Sequence, residues 1–321
     1  MKLLANRFER RPKPLLLAVL LLLLPLQPVF TAETLQHGAP VYPAFEGWRP
    51  NPDGSFNLMF GYMNENWGEQ PFVEIGENNF FSPGEADRGQ PTNFMPRRNR
   101  FTFEVTVPSD WGDRELVWSL NINGVETKAY GTLKPDYLVD NMIIASETGS
   151  LGIGVSSPES RSNTPPVLTL QGDDVRTARV GEAITLRAQL EDDGLPRSRL
   201  RSARSERDLY RAMFRAPQKP TVSKLNALFL SWNVYRGEGG VTFDPPQTKV
   251  WEDTRVAANS PWGSLWLPPV IPDDGLIEVT ATFDEPGTYT LWGRADDGGL
   301  YADTYLTVTV TPLEQLPNPL N

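Results

Sequence analysis

Apolar side chains recur at every second position through long stretches of this chain, and that spacing admits little besides β-strands. Phe101, Phe103, Val105 and Val107 face one way, and Arg100, Thr102, Glu104 and Thr106 the other. Leu116, Trp118, Leu120 and Ile122 repeat the pattern. Asn123-Gly124 then supplies a hairpin turn, because both residues tolerate positive φ, and the chain returns through 125–133. Residues 56–63 read as an earlier strand. Further on, Ile184, Leu186, Ala188 and Leu190 form one inward set, Leu228, Leu230, Trp232 and Val234 a second, and Ile277, Val279, Ala281 and Phe283 a third. Tyr289 and Leu291 follow the turn Glu285-Pro286-Gly287, and Leu306, Val308 and Val310 close the series. With 30 Pro and 26 Gly to make turns, the pattern predicts an all-β chain of two-sheet sandwiches.

The N-terminus reads as an export signal. Lys2, Arg7, Arg10, Arg11 and Lys13 precede an apolar run over 15–24, which Pro25, Gln27 and Pro28 break. The run is shorter than the roughly 20 apolar residues that cross a bilayer. Ala32 suits a cleavage site, whereas Phe30 stands where a small residue is preferred. The expectation is a cleaved signal peptide over 1–32, a secreted or periplasmic product and no integral membrane span after cleavage. The alternative is an uncleaved signal that anchors the chain in the inner membrane.

Between the two strand-rich regions, 15 of the 21 residues over 146–166 are Ser, Gly, Pro, Thr or Asn, the composition of a linker. The expected plan is a first sandwich at 38–140, a linker at 141–166, a second sandwich at 167–312 and a tail at 313–321. A stretch at 197–219 carries eight basic and two acidic residues, and Leu209, Ala212, Met213 and Ala216 fall at helical spacing within it. It reads either as a solvated insertion or as a docking patch for an anionic partner.

Composition excludes much chemistry. Zero Cys removes disulfides, thiol nucleophiles and Cys-ligated zinc, and the one histidine, His37, lies ahead of the first strand. Five of the 30 basic residues and one of the 40 acidic residues fall within 1–32, so the exported chain holds 25 against 39. Such an acidic surface repels phosphate backbones, and no nucleic-acid partner is expected. There is no phosphate-binding glycine loop and no HExxH pair.

Two resemblances add to this reading. The second half, over about 164–312, resembles the PKD-like and related immunoglobulin-like repeats of bacterial surface proteins. The likeness is carried by Val180-Gly181-Glu182, Leu228-Phe229-Leu230-Ser231-Trp232, Gly240-Val241-Thr242-Phe243, Ala281-Thr282-Phe283, Pro286-Gly287-Thr288-Tyr289 and Ala295-Asp296-Asp297-Gly298-Gly299-Leu300. It implies an immunoglobulin-like sandwich with Trp232 in its core. The first half, over about 56–131, resembles an uncharacterised secreted bacterial β-sandwich domain. Its pattern is Phe60-Gly61-Tyr62 with Asn64, then Asn78-Asn79-Phe80-Phe81, then Asp87-Arg88-Gly89-Gln90-Pro91-Thr92. Together they imply two immunoglobulin-like β-sandwich domains and no transferable activity.

Three sets of residues are candidate sites. Asp-Asp-Gly occurs at 192–194, 273–275 and 296–298; Asp296 and Asp297 are the favoured pair for Ca2+, set against the plainer reading of ordinary turns. Trp48, Trp251, Trp262 and Trp266 are candidates for stacking on sugar rings, set against burial of the same rings. In Asp87-Arg88-Gly89-Gln90-Pro91, Arg88 and Asp87 are expected to pair and fix a loop, and the alternative is an anion clamp. No catalytic residue and no cofactor other than Ca2+ is expected. The function read from the sequence is an exported, non-catalytic binding or structural protein of the bacterial envelope or extracellular space, partnered by a polysaccharide or another envelope protein. The alternatives are a carbohydrate-binding accessory module that uses exposed Trp, and a carboxylate-based hydrolase.

Overall fold

The computed structural model describes residues 37–66, 68–147, 157–197, 228–247 and 271–313, all of which fall in one compact unit, Leu35–Asn321. The fold is all-β. In the first sandwich, strands β1 (Val41–Pro50), β2 (Phe56–Asn64) and β4 (Arg97–Val107) form one antiparallel sheet in the order β1-β2-β4. Strands β3 (Asn79–Ser82), β5 (Leu116–Ile122) and β6 (Val125–Gly131) form the facing sheet in the order β3-β5-β6. Asn123 and Gly124 turn the β5–β6 hairpin with φ of 55° and 79°, as the Asn-Gly pair predicts.

Side chains on alternate positions meet between these sheets. Trp118, fully buried, stacks 5.8 Å from Phe81 and meets Phe103 edge-on at 5.0 Å, with Phe60 and Phe94 beside them. One expected member of the set turns elsewhere. The β2–β4 register shifts between Phe60 and Tyr62, and Phe101 adopts φ 47°. That irregularity takes Phe101 out of the inward row of Phe103, Val105 and Val107 and presents it to the second sandwich.

In the second sandwich, β10 (Phe229–Arg236), β13 (Gly287–Asp296), β14 (Tyr301–Thr311) and β8 (Val175–Arg179) make one sheet, in which β8 runs parallel to β14. Strands β11 (Val241–Asp244), β12 (Leu276–Phe283), β9 (Ala183–Glu191) and β7 (Val167–Leu170) make the other. Trp232 fills the core among Leu186, Phe283, Leu291, Leu306 and Val308, as expected of that position.

Two short helices, α1 (Asn141–Glu147) and α2 (Pro158–Ser162), lie in the stretch whose composition reads as a linker. Ile144 and Ala145 of α1 are buried with Met59, Phe101, Val139 and Leu300, a small core that draws on both sandwiches. The sandwiches share more than this. On β13, Leu291 faces inward and Trp292 outward, and outward-facing Trp292 and Tyr235 belong to the core of the first sandwich. Backbone N–H groups of Thr92 and Asn93 both donate to the Tyr235 carbonyl, at 3.1 and 3.2 Å.

Candidate functional site

The outer faces of β13 and β14 decide what lies between the sandwiches. Where Leu306, Val308 and Val310 point into the core, Tyr301, Asp303 and Tyr305 occupy the opposite phase of the same strand. Cross-strand register sets Trp292 beside Tyr305 and Arg294 beside Asp303. Arg294 makes bonds of 2.7 and 2.8 Å to the two Asp303 oxygens and lies over the rings of Tyr301 (3.9 Å) and Trp292 (4.5 Å). It also donates to the carbonyl of Phe101 at 2.6 Å. Burial disfavours its charge, but the Asp303 carboxylate outweighs that and keeps it protonated.

Above this staple lies a cleft of about 590 Å³, lined by Phe101, Phe103, Tyr235, Tyr301 and Tyr305 together with Arg49, Glu104, Arg236 and Asp303. Tyr305 is 38% exposed there. Burial raises the pKa of Tyr235, Tyr301 and Tyr305, so all three stay neutral hydroxyls across the physiological range. Both carboxylates of the lining are engaged. Glu104 accepts from Arg49 at 2.7 Å and Asn57 at 2.5 Å, and Asp303 accepts from Arg294 and from the Trp292 indole at 2.7 Å. At the rim, Arg236 bonds both oxygens of Asp87, at 2.7 and 2.9 Å, and its Nε donates to the Gln90 carbonyl. Asp87 therefore pairs with Arg236 of the other sandwich rather than with neighbouring Arg88. The cleft combines aromatic faces, neutral hydroxyls and fixed guanidinium–carboxylate pairs, a lining suited to holding a polar ligand with ring faces.

The Asp-Asp-Gly turns occupy a different place. All three contribute to one pocket of about 570 Å³ at an end of the second sandwich, through Asp192, Gly194, Asp273, Asp274, Gly275 and Asp297. Asp296 and Asp297 are both buried, at 7% and 1% exposure. Asp296 accepts from the Gly298 amide at 2.6 Å, and Asp297 accepts from the Leu300 amide at 2.7 Å and from the Asn163 side chain at 3.1 Å. Burial pushes the Asp297 carboxyl up to about 7, and burial with Asp193 nearby raises that of Asp192. Among the described residues, no three Asp, Glu or His side chains are gathered at metal-holding distance.

Of the tryptophan candidates, Trp48 packs edge-on against Phe56 at 5.5 Å and donates its indole N–H to the Lys134 carbonyl at 2.8 Å, so its ring helps to close the first sandwich. Trp251, Trp262 and Trp266 lie outside the described residues, as do Trp67 and all but Arg197 of the basic stretch. His37 is exposed. The sequence reading does not single out the cleft tyrosines; the signal for them is the outward Trp292 and Arg294 on the strand that pairs with Tyr301-x-Asp303-x-Tyr305.

No protein-family model matches this sequence, and no curated protein does. Among solved structures, the chain is similar to the D0-D1 domain of intimin, at 12% identity and a TM-score of 0.21 over 83% of this chain and 97% of that one. It is also similar to the Yersinia pseudotuberculosis adhesin InvE, at 12% identity and a TM-score of 0.23 over 84% and 58%. A third is the S-layer protein rSbsC, at 11% identity and a TM-score of 0.22 over 80% and 23%. None of these likenesses says what this chain does.

Proposed function

We propose that this protein is exported and acts without catalysis, as a binding element of the bacterial envelope or extracellular space whose ligand surface is the cleft between its two sandwiches. One observation carries the reading: both carboxylates of the cleft are committed to arginine partners, while the ring of Tyr305, 38% exposed, is open to the space between. A general acid or base needs a proton-transfer group that can reach its substrate, and a carboxylate locked into a guanidinium pair is poorly placed for that. The described helices support no membrane span, since none among the described residues is long and apolar enough to cross a bilayer.

The aromatic lining favours a carbohydrate as the ligand, held by ring stacking and by hydrogen bonds to its hydroxyls. In this reading Tyr305 takes the part that the sequence assigns to exposed tryptophans. A glycan array probed with the exported protein, run beside a hydrolase panel, tests it. Saturable binding to a defined glycan class without turnover supports the proposal. Reproducible turnover, or no retention of any envelope glycan or protein, contradicts it.

A further inference from the structure

We infer that the cleft between the sandwiches selects a carboxylated sugar, a uronic acid, and that Arg49 is the residue that reads its carboxylate. The inference rests on the carbohydrate reading of that cleft and adds the charge of the ligand. Arg294 and Arg236 are committed at every nitrogen. Arg294 gives Nε to Asp303, Nη1 to the Arg100 carbonyl and Nη2 to the Phe101 carbonyl. Arg236 gives Nε to the Gln90 carbonyl and one Nη to each oxygen of Asp87. Arg49 differs. Among the described residues it makes a single hydrogen bond, from Nη2 to Glu104 Oε1 at 2.7 Å, and its side chain is 42% exposed. A guanidinium holds its N–H donors in a rigid fork, so most of the fork is unfilled on a residue that lines the cleft.

Neighbouring side chains hold Arg49 in place without satisfying it. Arg49 stands opposite Asn57 of β2, and Asn57 donates to Glu104 Oε2 at 2.5 Å, so both oxygens of Glu104 are occupied. The Asn57 oxygen accepts from Asn51 and Thr106, at 2.7 and 2.9 Å, which fixes that amide. A guanidinium anchored along one arm is preorganised to take a second carboxylate on its open edge. Such a charge-assisted bond is about twice as strong as one to a neutral sugar hydroxyl. The same lining limits how much charge a ligand can bring. Glu104 and Asp303 line the cleft and Asp87 stands at its rim, so a phosphate dianion would meet repulsion that a single carboxylate meets far less. A uronic acid brings one carboxylate on a ring whose apolar face can stack on Tyr305.

The test is a set of binding isotherms for the protein with oligomers of galacturonate, alginate and hyaluronan, each beside its carboxyl-reduced neutral counterpart, with dextran sulfate as a charge control. At least one acid form should bind roughly tenfold tighter than its reduced form. Arg49→Gln should bring that ratio close to one. Glu104→Gln removes the competing charge and keeps an oxygen for Asn57, so it should raise affinity for the acid form about threefold. The opposite signs separate a residue that reads the ligand from one that only supports the fold, because structural damage would weaken binding in both variants. Equal affinity for acid and reduced forms would overturn the inference and leave the carbohydrate reading standing. So would dextran sulfate bound as tightly as the acid forms, an unchanged ratio in Arg49→Gln, or weaker binding of the acid form by Glu104→Gln. No retention of either form of any oligomer would overturn both readings.

Discussion

The guanidinium of Arg294 lies 3.9 Å over the ring of Tyr301 and donates a 2.6 Å hydrogen bond to the carbonyl of Phe101, a residue of the other sandwich. A single largely covered cation, its side chain 12% exposed, thus holds the partner Asp303, an aromatic face and the main chain across the junction. Removing it strands the Asp303 carboxylate in a site built for a pair. Arg294→Ala should cost about 3–5 kcal/mol, the usual penalty for breaking one side of a buried ion pair. Because Tyr235 and Trp292 complete the core of the first sandwich, the wild type should unfold in urea in one transition. The variant should show a lowered midpoint, with the two sandwiches separating into distinct transitions. Equilibrium unfolding followed by tryptophan fluorescence and circular dichroism checks both outcomes.

At the edge of the same junction, Asp87 gives a pH dependence. Its hydrogen bonds to Arg236 hold its carboxyl below the ordinary value of 3.8. An unfolded chain therefore binds this proton more readily than the folded one. The contribution is fully present above 3.8 and is lost as the pH falls through the lower folded value. Asp87 is half exposed, so the effect is modest. Asp87→Asn should move the acid-unfolding midpoint upward and flatten its dependence on pH below 4, while leaving the fold intact at pH 7. Acid titration followed by circular dichroism measures the shift.

Gly61 marks the bulge that turns Phe101 outward. A Cβ there would stand 2.3 Å from the main-chain oxygen of Asn99 and as close to Glu46. Backbone cannot swing aside as a side chain can. Gly61→Ala should destabilise by about 1–3 kcal/mol, the range for overpacking, and the urea midpoint should fall accordingly.

Much of the fold is legible in the sequence because most strands bury one face only. Leu116-x-Trp118-x-Leu120-x-Ile122 and Ile277-x-Val279-x-Ala281-x-Phe283 announce both their period and their inward side, and the Asn123-Gly124 turn announces its own geometry. What sits between the sandwiches is less legible. Tyr301, Asp303 and Tyr305 look like a solvated face when read alone, and only the outward Trp292 and Arg294 on the neighbouring strand show that it is covered. Asp87 and Arg236 are 149 residues apart, so no local pattern joins them. The Asp-Asp-Gly turns are obvious as turns, but their meeting in one pocket depends on which ends of β9, β12 and β13 the topology brings together.

The central claim is that the cleft holds a ligand and does not transform it. Tyr305 is the most exposed ring of that lining and belongs to neither core, although it meets the core ring of Tyr235 edge-on at 5.2 Å. The decisive measurement is a binding isotherm of the protein and of Tyr305→Ala against the glycan class that the array identifies. At least a tenfold loss of affinity is expected in the variant, with the native circular dichroism spectrum retained and no product formed by either protein. Equal affinity in the two proteins, or consumption of the glycan, would contradict the account.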